Sequence, residues 1–160
     1  MSNNRQVARM EWASFMNTGT REAPTWSRIG EGFTDLSMAL GAVEYARHYV
    51  HEKTERRDVV GYAPKIAYSC DVFSGDPVIG RISQVTDGEL VGSEAQVQIV
   101  SVNLYEKKAT GCAAYSRDWA VIPDTKGRGV EALVMTGVFA AVGDAVSGSF
   151  AEAGGFEADA

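Results

Sequence analysis

Residues 44–73 decide how this sequence folds, and they read EYARHYVHEKTERRDVVGYAPKIAYSCDVF. Two extended runs, residues 44–51 and 59–73, flank the densely charged segment 52–58. In the second run, apolar side chains alternate with small or polar ones, which is the period of a strand with one buried face. The apolar set on one side consists of Val60, Tyr62, Ile66, Tyr68, Cys70 and Val72. Pro64 indicates an edge position or a bulge, because proline lacks the N–H that a sheet ladder uses. The stretch predicts a long strand pair whose charged tip extends beyond the core and can contact another molecule.

The composition is that of a globular protein. With 160 residues, 45% of them hydrophobic and 22% charged, the chain fits one domain with a core of its own. A formal net charge of −6 argues against a protein that binds DNA or anionic membranes through a basic surface. No apolar run approaches the roughly 18 residues of a membrane span, and the polar start has no secretory signal. We expect a soluble protein of the cytoplasm.

One α-helix is indicated by its end signals. Asp76 can cap the helix, Pro77 suits its first position, and Gly88 supplies a stop. The four apolar residues between them share one side of a helix; they are Val78, Ile79, Ile82 and Val85. The sequence therefore predicts a helix over about residues 77–87 that covers one face of a sheet.

The remaining segments favour β-structure. Residues 25–40 predict a short hairpin that turns at Gly30–Gly32. Residues 95–106 alternate, but the phase flips at Ile99-Val100, so either a bulge lies there or both faces are covered. Further strands are predicted at 112–122, 129–142 and 146–150, with a turn at 123–127. Seven or eight strands and one helix without regular alternation indicate an α+β, mostly β fold, an antiparallel sandwich or barrel with a flanking helix.

The ends of the chain are less regular. Residues 1–24 are predicted to form an arm that packs on its own domain or on a neighbouring subunit. Residues 151–160 are rich in Gly, Ala and acids, which predicts a flexible tail behind a single domain of residues 1–150. Several strands are apolar on both sides, and partner subunits could bury the extra faces.

No pattern in the sequence indicates catalysis, a metal or a cofactor. His48 and His51 are three apart, so on a strand they face opposite ways and do not converge on a metal. Glu52 and Glu55 lie in a charged segment, where a solvated surface is the default. Cys70 and Cys112 sit in apolar runs and are predicted to be buried free thiols, with a disulfide as the alternative.

Several short pieces carry a resemblance to a known family. They are Asn17-Thr18-Gly19-Thr20, Pro24-Thr25-Trp26, Ile29-Gly30-Glu31-Gly32-Phe33-Thr34-Asp35-Leu36, Tyr49-Val50-His51-Glu52-Lys53, Gly61-Tyr62-Ala63-Pro64, Gly75-Asp76-Pro77-Val78 and Gly143-Asp144-Ala145-Val146-Ser147-Gly148-Ser149-Phe150. In this order, over about residues 15–150, the chain resembles phage major tail proteins, the tail tube subunits of long, non-contractile tails. Ala145 departs from the pattern, because relatives tend to have proline there.

The resemblance implies a tail tube fold whose subunits form six-membered rings that stack into a hollow tube. It implies a continuous inner β-barrel through which genomic DNA passes without specific binding during ejection. The implied partners are further copies of the chain and other tail proteins, namely the tape measure, tail initiation and terminator proteins. The implied location is the tail of a virion that is assembled in the cytoplasm of a host bacterium.

The resemblance also assigns contacts between subunits. The loop between the long strands is implied to reach a neighbouring subunit or ring, and here it carries Glu52, Lys53, Glu55, Arg56, Arg57 and Asp58. The N-terminal arm and the C-terminal end are implied to join ring-to-ring contacts. Two alternatives from other classes are a small-ligand-binding β-barrel and an enzyme that uses His48, His51 or Asp118.

Overall fold

A computed structural model describes residues 4–152 and 154–159. These residues form ten strands, one α-helix and two short 3-10 turns. The strands are β1 Trp12–Asn17, β2 Trp26–Arg28, β3 Phe33–Ala39, β4 Ala42–Arg47, β5 Arg56–Tyr62, β6 Lys65–Asp71, β7 Gln96–Lys108, β8 Gly111–Arg128, β9 Val134–Ala151 and β10 Gly155–Ala158. The helix α1 spans Pro77–Gly88, and the 3-10 turns span Arg9–Glu11 and Gly92–Ala95. Every strand pair is antiparallel, so the predicted α+β, mostly β fold class with one flanking helix is confirmed.

Eight strands form one sheet in the order β2-β1-β7-β8-β9-β6-β3, with β10 beside β9. Both faces of the curled sheet bury apolar side chains. On one face, α1 covers a large core that includes Val97 and Ile99 of β7. On the other, Val100 and Val102 belong to a second core with Phe15 and Phe150. Pairing of β7 with β8 runs unbroken through Ile99 and Val100, so the flip in the hydrophobic pattern comes from two covered faces.

Helix α1 begins as its sequence predicts. The Asp76 carboxylate accepts hydrogen bonds from the backbone N–H groups of Val78 and Ile79, at 2.9 and 3.2 Å. All four residues of the predicted apolar side are buried in the helix-covered core. The helix end differs from the prediction, since Glu89, one residue after Gly88, adopts the left-handed conformation at φ 49°.

The predicted long strand over residues 59–73 is in fact two strands. Strand β6 lies between β3 and β9, and its Ile66, Tyr68 and Cys70 are buried. Strand β5 belongs to a separate two-stranded sheet with β4. Of the predicted run 44–51, only residues 44–47 belong to β4. Pro64 separates the two strands, because its missing N–H interrupts the ladder while its carbonyl accepts from the Ala141 N–H at 3.0 Å.

The predicted hairpin over residues 25–40 is wrong in its pairing, although both of its strands exist. The chain does turn at Gly30, whose carbonyl accepts from the Phe33 N–H at 3.0 Å. However, β2 pairs with β1 and β3 pairs with β6, at opposite ends of the sheet order. Strand β6 offers β3 a partner along its whole length, and the turn passes the chain between two edges of the sheet.

Three other segments take their structure from the strands that they pair with. Within the predicted arm, whose residues 1–3 lie outside the described residues, Trp12–Asn17 form strand β1, which pairs with β7 of its own domain. Within the predicted flexible tail, β10 pairs with the end of β9, and Phe156 packs on the second core. The predicted turn at 123–127 is wrong, since β8 continues to Arg128 with bulges on both sides of Thr125. Pro123 is tolerated because β7 pairs with β8 only as far as Ala120, which leaves that edge free.

Candidate functional site

The hairpin of β4 and β5 stands apart from the rest of the structure. Its two strands pair only with each other, and of their residues all but the half-buried Gly61 are exposed. An isolated two-stranded hairpin is marginally stable at best in water. Among the described residues, no other strand pairs with either of its two strands.

The hairpin and its base carry many exposed apolar side chains. They are Leu40, Val43, Tyr45, Tyr49, Val50, Val59, Val60 and Tyr62, each at least 45% exposed. An exposed apolar group of this extent marks an interaction surface more often than a solvated one. Sequence reasoning placed Val60 and Tyr62 on a buried face together with Ile66, and this assignment is wrong for both residues.

Charged side chains on the hairpin pair mostly with each other. Arg57 Nη1 lies 3.0 Å from Glu44 Oε2 across the strands, and Arg57 Nη2 lies 3.3 Å from Glu55 Oε1. Arg56 Nε donates to Glu52 Oε2 at 2.8 Å. Exposed ion pairs of this kind contribute about 0–1 kcal/mol each. They fix the shape of the hairpin more than they stabilise the subunit.

The predicted contact residues lie together at the far end of this hairpin. Glu52, Lys53 and Glu55 occupy the loop, whereas Arg56, Arg57 and Asp58 are the first residues of β5. The predicted contact residues therefore do not all lie in a loop, because Arg56, Arg57 and Asp58 belong to strand β5. Lys53 and Asp58 make no ion pair within 4 Å with any described residue.

The two histidines help to shape the loop. His48 Nε2 is 2.7 Å from the Glu52 carbonyl oxygen, and His51 Nε2 is 3.6 Å from Glu52 Oε1. Residues 4–152 and 154–159 contain no group of three or more His, Cys, Asp or Glu side chains arranged to hold a metal ion.

A groove that sequence reasoning missed runs along the free edge of β3. Its first half, about 340 Å³, is polar and is lined by Arg9, Ser14, Arg28 and Asp35 among others. Its second half, about 260 Å³, is mainly aromatic and aliphatic, with Met38, Leu40, Tyr115 and Trp119, although Arg117 also lines it. Trp12 lines both halves, which therefore adjoin along β3. No local pattern could have found it, because its walls come from strands far apart in the sequence.

A second surface is the outer face of β3, β6, β9 and the end of β8. Directly paired residues share a face of a sheet, and one row across this face is Ser37, Ala67, Val138 and Ile122. The next row begins with Asp35, Ser69 and Thr136, and Asp71 follows on β6. Most side chains of this face are small or short, and its charged groups include the carboxylates of Asp35 and Asp71 and the ammonium group of Lys65.

The Asn17–Thr20 piece of the resemblance has a structural role. Asn17 Oδ1 accepts from the N–H groups of Gly19 and Thr25, at 2.9 and 3.0 Å, and Asn17 Nδ2 donates to the Thr20 carbonyl at 3.1 Å. A Cβ at Gly19 would lie 2.6 Å from the Ala23 carbonyl oxygen. These residues therefore hold the loop between β1 and β2 closed.

Both cysteines are buried and free. Burial raises the pKa of Cys70 to about 11, so its thiol stays protonated near neutral pH. As for membranes, no helix within the described residues has the length and apolar character needed to cross one.

Comparison with known proteins shows a likeness of fold to a solved structure. The chain is similar to a chain in the cryo-EM structure of the anti-feeding prophage baseplate, which was symmetrised with six-fold symmetry. The two share 11% sequence identity with a TM-score of 0.51, over 93% of this chain and 98% of that one. At this identity the likeness concerns the fold alone. Neither a protein-family model nor a curated protein sequence matches the chain.

Proposed function

We propose that this protein is a structural subunit of a phage tail or of a phage-derived particle, and that it assembles into stacked six-membered rings as a tail tube. The observation that carries the proposal is the β4–β5 hairpin, which exposes apolar side chains on an element that lacks support of its own. The sequence resemblance and the likeness to a chain of a six-fold prophage baseplate support it.

A ring is favoured if the hairpin of one copy binds a different surface on the next copy. When a projecting element of one copy binds a different surface on the next copy, the contact is heterologous and generates a ring or a helix. Stacked rings need further contacts along the axis. We assign these to the N-terminal arm, about residues 1–24, and to residues 151–160, on either side of one tail tube domain of residues 1–150.

The outer face of β3, β6 and β9 is our candidate for the lining of the channel. Its short side chains, such as Ser37 and Ala67, leave room, and the two carboxylates of Asp35 and Asp71 outnumber the one ammonium group, that of Lys65, on β3 and β6. The formal charge of −6 per chain is repeated six times in each ring. A wall without clustered Lys and Arg offers few of the phosphate contacts that hold DNA in place, so DNA can slide past it.

The proposed partners are further copies of the chain and other tail proteins, namely tape measure, tail initiation and terminator proteins. The proposed location is the virion tail, assembled in the host cytoplasm. The small-ligand-binding alternative has less support, because the second core is filled by its own side chains. The rings of Phe15 and Phe150 in this core are 4.4 Å apart.

The test is the concentration dependence of particle size. The purified protein, alone and with a tail initiation protein, is followed by light scattering and negative-stain electron microscopy. We expect rings or tubes to form above a threshold concentration. A species that stays strictly monomeric in both preparations would refute the proposal, and saturable binding of an apolar dye to that monomer would favour the alternative.

A further inference from the structure

The hairpin and the groove beside β3 match in the order of their polar and apolar groups. We propose that strand β5 of one copy docks along the free edge of β3 in a second copy, with Asp58 reaching Arg9 and Arg28. This inference rests on the proposed function, because it names the surface that receives the hairpin.

The free edge of β3 offers backbone groups that no neighbouring strand pairs with. Arg9 Nη2 donates to the Leu36 carbonyl at 2.8 Å, so this carbonyl points away from β6 and into the groove. In an antiparallel pair, the N–H and C=O of one residue point to the same side, and the side alternates along the strand. The Leu36 N–H and both backbone groups of Met38 therefore face the groove. An extended segment can bind such an edge by adding a strand.

The polar half of the groove has cations without an anionic partner. Arg9 also donates to the Trp12 carbonyl at 2.8 Å, and Arg28 donates to the Met10 carbonyl at 3.0 Å. Neither guanidinium group forms an ion pair with a carboxylate among the described residues. Asp35, on the opposite wall of the groove, pairs with neither of them. Two guanidinium groups held by neutral carbonyls favour an incoming carboxylate.

A buried hydroxyl leaves an open hydrogen-bonding position in this half of the groove. Ser14 is 2% exposed and lines the groove, yet its Oγ has no hydrogen-bond partner. Buried polar atoms in native structures are nearly always satisfied. A polar segment that enters between β1 and β3 would supply the missing partner.

Strand β5 has the matching features. Asp58 has no ion-pair partner within the described residues, whereas Glu44, Glu52 and Glu55 each have one. From Arg56 onwards, β5 passes from charged residues through Val59 and Val60 to Tyr62. The groove passes in the same sense along β3, from Arg9 and Arg28 to Leu40 and Tyr115.

The lengths also agree, since β3 and β5 have 7 residues each. A parallel placement of β5 beside β3 puts Asp58 at the cationic end and Tyr62 at the aromatic end. Arg56 and Arg57 also lie at the cationic end, but their charges are already paired with glutamates of the hairpin. Val59, Val60 and Tyr62, which are 53–61% exposed in the free subunit, would then be covered. The charge and the apolar groups thus select one orientation of the docked strand.

Charge reversal with rescue tests the pairing in the full-length protein. Asp58→Arg and Arg28→Asp should each raise the concentration at which light scattering detects assembly by about tenfold. The double variant D58R/R28D should return to within about threefold of the unmodified protein, because the pair between positions 58 and 28 is restored with opposite polarity while Arg9 still opposes the new cation. Glu55→Arg is the matched control: it makes the same charge change on the hairpin, and Arg28→Asp should not rescue it.

A crosslinking experiment gives a second readout. Asp58→Cys with Arg28→Cys, treated with a short bis-maleimide, should give a ladder of covalent oligomers, while native Cys70 and Cys112 are too buried to react. Assembly of D58R at the normal concentration, or impairment without rescue and without a ladder, would overturn the docking site. Absence of assembly by the unmodified protein would instead refute the proposed function itself.

Discussion

Removal of the β4–β5 hairpin should abolish assembly and leave the subunit folded. The change replaces residues 42–62 by Asn-Gly, a sequence that favours a tight two-residue turn. The ends are already adjacent, because the Ala63 N–H donates to the carbonyl oxygens of Leu40 and Gly41, at 3.1 and 3.0 Å. Strands β3 and β6 would then be joined directly, in the register that they already have.

The expected change in stability is small and favourable. The hairpin contributes no residue to either core, so its loss removes almost no buried apolar surface. Shortening the connection from roughly twenty residues to two is about three halvings of loop length, which lowers the closure entropy cost by about 2 kcal/mol at most. The free energy of unfolding should therefore rise by about 0–2 kcal/mol, and the melting temperature by no more than about 8 °C.

Urea titration followed by circular dichroism measures the stability, and light scattering measures assembly. The control replaces only loop residues 50–54 by a Gly-Ser segment of the same length, which keeps β4 and β5. A decrease of more than about 2 kcal/mol in the free energy of unfolding on hairpin removal would contradict the reasoning. It would mean that the hairpin supports the core of its own subunit.

Three further predictions concern the core, the hairpin charges and pH. Ile82 lies on the buried side of α1 and is fully buried. Ile82→Asp should therefore lower the free energy of unfolding by more than about 4 kcal/mol, whereas Gln84→Asp on the exposed side of the same helix should cost less than about 1 kcal/mol. Equal losses in urea titrations would refute the packing of α1. Reversing Arg56 and Arg57 to Glu should cost the subunit about 1 kcal/mol or less but slow elongation in a light-scattering assay, and parallel losses of stability and assembly would argue against a contact role. Burial raises the pKa of Cys70 from 9.0 to about 11, so the folded state holds the thiol proton more tightly than the unfolded state. The resulting contribution to the free energy of unfolding is complete below pH 9 and decreases as the pH rises to 11. Melting temperatures of Cys70→Ala should fall less over that interval than those of the unmodified protein, and an identical fall would count against this cause.

Features with local causes were predictable from the sequence. The start of α1 depends on Asp76 and Pro77, whose effects act within one turn. The alternation of apolar and polar side chains is also a local pattern, and it marked the positions of β3, β6 and β7. The pairing partner of each strand was harder to predict, because pairing is set by contacts between distant segments. Thus β2 and β3 were placed in one hairpin although they lie at opposite ends of the sheet order.

The β4–β5 hairpin shows what the hydrophobic pattern alone does not reveal. Val60 and Tyr62 alternate in phase with Ile66 and Tyr68, yet the first two are 61% exposed and the second two are buried. Alternation indicates that one side of a strand is apolar, but it does not indicate what covers that side. The charged loop that follows β4 was the local signal for an external contact, and Pro64 was the signal for the break between β5 and β6. The groove beside β3 had no such signal, because β1, β2, β3 and β8 all contribute to it.

The central claim is that copies of this chain form rings through their hairpins. Cryo-electron microscopy of the assembled protein tests it most directly, because it gives both the symmetry and the path of each chain. The account predicts six copies in each ring, stacked as a hollow tube, with β4 and β5 of every copy packed on its neighbour. Particles in which the hairpins remain exposed to solvent, or in which the copies form no closed ring, would contradict it.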